Sequence, residues 1–150
     1  MTIRGTASVT IQAPPEVVWP WVAELDRHAD YSPKPYRVEL VSGQPGTVGA
    51  RYRSVGVIPG DKNHENTVEV TESEPTTRFA LTATEDLGAF LSTYDLKPVA
   101  GGTEVTFTLQ FPELSGMAGV LAPVLFPLVG QRDINKRMAM LKTKVEAAAT

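Results

Sequence analysis

Two periodicities divide the chain. Residues 6–12, TASVTIQ, alternate apolar Ala7, Val9 and Ile11 with Ser8, Thr10 and Gln12, the period of a half-buried strand. APPEVVWPWVAEL follows. Pro14 and Pro15 suit the first positions of a helix, Glu16 complements its positive end, and Val18, Trp19, Val22 and Leu25 recur at helical spacing. Pro20 bends or shortens that helix, and Trp19 and Trp21 beside it read as helix packing. DRHADYSPKP reads as a short helix or turn halted by Pro33 and Pro35, with His28 a surface residue that has no role. From 36 to 111, short runs of Val, Thr, Tyr and Phe are punctuated by SGQPG, IPGD, SEPT, EDLG and AGG. That pattern predicts strands near 36–42, 48–58, 63–72, 77–85, 90–98 and 103–111. Connections this short favour antiparallel neighbours in a meander.

The alternation also predicts register. Centring the last hairpin on Ala100 and Gly101 faces Leu96 with Val105, Tyr94 with Phe107, Ser92 with Leu109 and Phe90 with Phe111. Centring another on SEPT faces Val70 with Phe79, Val68 with Leu81, Asn66 with Ala83 and His64 with Glu85. Between them, Phe79 falls opposite Leu96, Leu81 opposite Tyr94 and Ala83 opposite Ser92. One face then gathers Val68, Val70, Phe79, Leu81, Tyr94, Leu96, Val105, Phe107, Leu109 and Phe111. The other gathers Thr, Glu, Asp, Arg and Gln, Thr93 and Thr108 among them. A one-residue slip in any hairpin would scramble this separation, so the sheet has one wet side and one buried side.

The covering element is legible too. In QRDINKRMAMLKTKVEAAA, Ile134, Met138, Leu141 and Val145 fall at helical spacing, with Arg132, Lys136, Lys142 and Lys144 on other, solvated faces. A long C-terminal helix therefore lies across the sheet. Ahead of it, GMAGVLAPVLFPLVG (116–130) carries no charge. A spanning helix needs about 20 apolar residues, and this run is shorter and holds Pro123 and Pro127. It leads from the last strand to the long helix. Leu121, Val124, Leu125, Phe126 and Leu128 either line the entrance of an interior space under a lid-like bend or simply close the core.

The order strand, two short helices, six strands and long helix resembles the helix-grip fold. The residues that carry the likeness are the opening strand running into APPEVVWPWVAELDRHADYSP, then VEVTESEPTTRFAL and the DLKPVAGGTEVTFTLQF hairpin. The chain resembles the START-like and polyketide-cyclase-like superfamily (SRPBCC) over essentially its whole length. Tyr31 stands where that family often has Trp, so an aromatic is kept. The resemblance implies an α+β fold in one domain, 1–150, with a curved antiparallel sheet of about seven strands wrapped around the C-terminal helix. It further implies a cavity between sheet and helix for an apolar or aromatic small molecule: a lipid, a quinone or a polyketide-like compound. Members include carriers, binders and aromatase/cyclases without a shared catalytic set, so no catalytic residue is carried over.

Polar residues on the buried face are the candidate chemistry: Ser54, His64, Asn66, Glu85, Ser92 and Tyr94. Buried unpaired, each costs roughly 1–3 kcal/mol, so each needs a partner. His64 facing Glu85 reads as a structural pair at the sheet margin, or as an acid/base pair or ligand anchor at a cavity mouth. Tyr94 reads equally as a ligand hydrogen-bonder and as core, and Tyr52 similarly. The candidate cavity wall adds Val68, Leu81, Phe107, Leu109, Leu121, Leu125, Phe126, Met138 and Leu141.

Composition narrows the classes. At 42% hydrophobic and 21% charged residues the chain is globular rather than disordered. A net charge of −3 disfavours nucleic acid as a partner. With no cysteine, thiolate chemistry and Cys-type metal sites drop out, and a cytoplasmic setting is the expectation, as it is from a start, MTIRGTASVTI, that lacks a secretion pattern. No cofactor and no metal is expected, since two distant histidines and no acidic cluster do not make a metal site. Three functions remain: sequestration of a hydrophobic small molecule, an acid/base enzyme of the cyclase, aromatase or dehydratase type, and contact with a membrane surface or another protein through 116–130.

Overall fold

A computed structural model of the chain describes residues 3–58, 60–85, 88–114 and 116–149. Strand β1 (Ile3–Ile11) leads into helix α1 (Pro15–Ala23) and a 3₁₀ helix (Leu25–Tyr31). Then follow β2 (Arg37–Ser42), β3 (Arg51–Ile58), β4 (Asp61–Glu74), β5 (Arg78–Glu85), β6 (Gly88–Val99) and β7 (Gly102–Leu114). Helix α2 (Gly116–Leu125), a π-helical turn (Phe126–Gly130) and α3 (Gln131–Ala148) run end to end. The strands form one antiparallel sheet in the order β1-β7-β6-β5-β4-β3-β2. This is the α+β helix-grip arrangement. Register shifts at Leu40/Ser42, Gly56/Ile58, Val70/Glu72 and Ala89/Leu91 interrupt four of the ladders. Extra residues of this kind bend a strand and raise its twist, which lets the sheet wrap around α3.

The β6–β7 hairpin has the register read from the sequence: Leu96 faces Val105, Tyr94 faces Phe107 and Ser92 faces Leu109. It departs at the shift between Ala89 and Leu91, so Phe90 is not in ladder register with Phe111, although the two rings lie 5.5 Å apart. The other two expected registers are corrected. Val70 faces Leu81 rather than Phe79, because the turn is closed by Thr77 N–H donating to Glu74 O and β4 carries an extra residue at Thr71. Phe79 faces Tyr94 rather than Leu96. Leu81 likewise faces Ser92, an even slip that leaves every side chain on its assigned face. Val70, Phe79, Tyr94, Leu96, Val105 and Phe107 are all buried. On the wet face Arg51 pairs with Glu69, Arg53 with Glu65, and Arg78 with both Glu72 and Asp95. Water screens ion pairs this exposed, so this face is solvated surface rather than a source of stability. Two of its residues, Thr93 and Thr108, are buried in mid-sheet, where neighbouring side chains cover them.

The core occupies one end of the space between sheet and helix. Ile134, Met138, Leu141 and Val145 of α3 are buried against Val18, Val22 and Leu25 and against Val70, Phe79, Leu96 and Val105 of the sheet. The edge strand β1 is tied down by α3. Gln131 donates to Thr6 O at 2.9 Å, Lys142 to Thr10 O at 2.7 Å, and Gln12 N–H donates to Glu146 at 2.8 Å. Carbonyls that would template another strand are thereby occupied. Lys142 is consequently not the merely solvated cation that the sequence suggests. Among the described residues no helix is long and apolar enough to cross a membrane.

Candidate functional site

Where the dense core ends, toward the N-terminal half of α3, the space stays hollow. A cavity of about 480 Å³ opens between the sheet and the helix, within the range of small-molecule sites. The segments that wall it follow simple periodicities. Alternate residues of β3–β7 supply Ser54, Asn66, Val68, Leu81, Ala83, Ser92, Tyr94, Phe107 and Leu109. Helix α3 supplies Asp133, Ile134 and Arg137, with Gly130 just ahead of it, at spacings that keep one helix face toward the cavity. The 3₁₀ helix repeats every three residues, so Leu25, His28 and Tyr31 share its buried face.

Of the candidate residues, Ser54, His64, Asn66, Val68, Leu81, Ser92, Tyr94, Phe107, Leu109 and Phe126 line the cavity. Met138 and Leu141 do not; both are fully buried in the dense core. Tyr52 is buried elsewhere, its hydroxyl accepting from Gly46 N–H at 3.3 Å, a structural role. Leu121 and Leu125 point outward, 45% and 48% exposed, as do Val124 and Leu128. From the apolar run, Phe126, Val129 and Gly130 reach the cavity. The Glu85 side chain lies outside the described residues. The expected facing of His64 and Glu85 is not the register found. The β4–β5 ladder pairs Thr67 with Thr84, and His64 faces Gly56 of β3. His64 meets Asp61, three residues earlier at the start of β4, with Nδ1 3.3 Å from Oδ2. The Asn63 N–H and His64 hold the Asp61 carboxyl below its ordinary range.

One part of the cavity is an aromatic wall. Phe90 meets Phe111 at 5.5 Å between ring centroids, and Phe111 meets Phe126 edge-on at 5.6 Å. Phe126 is seated on two glycines. A methyl group on Gly5 would come within 2.6 Å of its ring, and one on Gly130 would also collide with it. The π-helical turn carries this ring inward while the rest of the apolar run faces largely out.

The opposite part is polar. His28 is buried, and its Nε2 is 2.7 Å from Val22 O, the geometry of an N–H donor to a carbonyl. Burial lowers its pKa to about 4, with the Arg137 charge adding to the effect against the bond to Val22, so the imidazole is neutral near pH 7. Tyr31 donates to Trp21 O at 3.0 Å. Burial, and then the neighbouring Tyr94, push the Tyr31 hydroxyl well above its ordinary pKa. Burial also raises Tyr36, partly offset by the Ser54 hydroxyl beside it. Arg137 reaches over the rings of Tyr31 and Phe107, 5.9 and 6.0 Å from their centroids. His28, Tyr36 and Arg137 do not stand out in the sequence as site residues. The reading of His28 as a surface residue is corrected by the three-residue repeat, which carries it inward with Leu25 and Tyr31.

A family model described as polyketide cyclase / dehydrase and lipid transport matches residues 2–146. The chain belongs to this family. No curated protein matches it. Among solved structures it is similar to the Zhui aromatase/cyclase from Streptomyces sp. R1128, with a TM-score of 0.80 and 17% identity over 100% of this chain and 97% of that one. A protein of Thermus thermophilus aligns with a TM-score of 0.77 and 26% identity, covering 99% of this chain and 100% of its own. Norcoclaurine synthase of Thalictrum flavum gives 0.73 and 15% over 100% and 98%. At such identities the likeness to the aromatase/cyclase and the synthase is one of fold. In this member of the family, no group of three or more His, Asp or Glu that could hold a metal gathers among the described residues.

Proposed function

We propose that the chain sequesters one hydrophobic small molecule in the cavity between its sheet and α3. The observation that carries this reading is the hollow itself: about 480 Å³ left open beside a cluster of buried apolar side chains. A carrier gains affinity from apolar area, roughly 25 cal/mol per Å² removed from water. Phe90, Phe111, Phe126, Leu109 and Leu81 supply that area, and Ser92, Asn66, Tyr94 and His64 supply orientation. The family description, which names lipid transport, agrees with it.

Native mass spectrometry of freshly purified protein tests the reading. The expected spectrum contains the chain plus one apolar small molecule, released on denaturation. A chain that carries nothing and whose melting point no apolar compound raises would overturn it.

A second reading, acid/base catalysis on an aromatic or polyketide substrate, is favoured by one arrangement. His64 lines the cavity, only 16% exposed, and Asp61 holds its Nδ1 side. A carboxylate that fixes one ring nitrogen orients the imidazole for proton transfer. If this reading is right, turnover of aromatic or polyketide surrogates falls about 100-fold or more in His64→Ala. Unchanged rates remove His64 from any mechanism.

A further inference from the structure

We propose that Arg137 is the docking point for an anionic oxygen group, so that the molecule this cavity takes is an amphipathic acid: a ring-bearing apolar body with one carboxylate or comparable anion. The inference rests on the reading of the cavity as a binding site and names the class of its ligand.

Arg137 is half-buried on the cavity wall. No carboxylate of a described residue lies within 4.0 Å of its guanidinium. The nearest acid on its own helix is Asp133, one turn earlier, and Asp133 is engaged by Lys34 at 3.2 Å. Among the described residues that line the cavity, Asp133 is the one carboxylate. Lys34 and Asp133 therefore cancel, and among the described lining residues the guanidinium of Arg137 is left without a carboxylate partner. A cation drawn out of water without an anion is costly, and folded chains ordinarily pair it. Here the rings of Tyr31 and Phe107 hold the guanidinium in place, and cation–π contact recovers part of that cost while leaving its fork of N–H donors open to a planar acceptor. Burial keeps the neighbouring His28 neutral near pH 7 and raises the Tyr31 and Tyr36 hydroxyls, which stay protonated there, so none of these three supplies a negative charge to the guanidinium. Arginine forks bind carboxylates through two parallel hydrogen bonds, which makes this a selective position rather than a diffuse charge.

A matched pair of fluorescent probes tests the inference. 8-Anilinonaphthalene-1-sulfonate and N-phenyl-1-naphthylamine share the same apolar body, and only the first carries an anion. Each is titrated into wild type, Arg137→Met and Arg137→Lys, with thermal melts to confirm folding and Arg137→Gln as the alternative should the Met variant not fold. Wild type is expected to bind both. Loss of the guanidinium should weaken the sulfonate probe about 10-fold or more, leave the neutral probe within about 2-fold, and be partly rescued by Lys. A sulfonate-to-neutral affinity ratio that no substitution at Arg137 changes would overturn the inference while leaving the cavity reading intact; probes held on the outer surface of α2 would behave so. If wild type binds neither probe, the cavity reading itself fails, and this inference with it.

Discussion

His28 makes stability depend on pH. Its folded pKa, about 4, lies below the ordinary 6.5, so between those values the unfolded chain binds the proton that the folded chain refuses. Stability therefore rises with pH through this window and is lost as pH falls toward 4. From about pH 7 to about pH 4.5 the loss from this one group is about 2 kcal/mol. Urea midpoints at the two pH values measure it, and His28→Gln, which keeps a donor for Val22 O, should remove most of the slope. An equal slope in that variant would show that other groups cause it. Phe126 supplies a second case. Gly5→Ala brings a methyl group against its ring and against Ile134, and should destabilise by about 1–3 kcal/mol. Phe126→Leu in the same chain should recover part of that loss, and strict additivity would contradict the seating of the ring on Gly5. Neither His28 nor Arg137 stood out in the sequence, for different physical reasons. His28 lies where the repeat is three rather than 3.6 or two. Arg137 falls three residues after Ile134 and four before Leu141, on the buried stripe, but its charge makes it look like one more solvated cation.

At the scale of elements, strand faces were legible and strand registers only partly so. Alternation assigns each side chain to a side, and an even slip leaves that assignment intact, so β4–β5 and β5–β6 keep their faces with different partners. Extra residues such as Thr71 carry no hydrophobic signature and went unread. The C-terminal helix was read almost to the residue because Ile134, Met138, Leu141 and Val145 form an unbroken stripe. The apolar run was harder. Hydrophobicity alone does not say whether a residue points inward, and here Met117, Val120, Val124 and Leu128 are each more than 60% exposed while Phe126 turns into the cavity. The two helices should consequently respond differently to mutation. Met138→Ala, in the packed core, should cost about 2–5 kcal/mol. Val124→Asp, at 64% exposure, should change stability by less than about 0.5 kcal/mol. Denaturant unfolding of the two variants makes the comparison, and a large loss in Val124→Asp would mean that α2 is packed against something in solution.

For the molecule as a whole, the division of the interior is what matters: a dense end that supplies stability and a hollow end with an aromatic wall and a polar cluster. Sequence pattern shows which residues are inside but not how completely they fill the inside, which is why Met138 and Leu141 were expected at the cavity and are found in the core. Volume left over is a property of curvature and of where α3 crosses the sheet. The most direct test of the account is a titration of N-phenyl-1-naphthylamine into wild type, Ala83→Phe and Val124→Asp. Ala83 is a small residue on the cavity wall, and a ring there occupies the space that the probe needs. One probe per chain should bind saturably, about 10-fold or more weakly in Ala83→Phe and with unchanged affinity in Val124→Asp. Binding that survives Ala83→Phe and is lost in Val124→Asp would place the ligand on the outside of α2 and contradict the account.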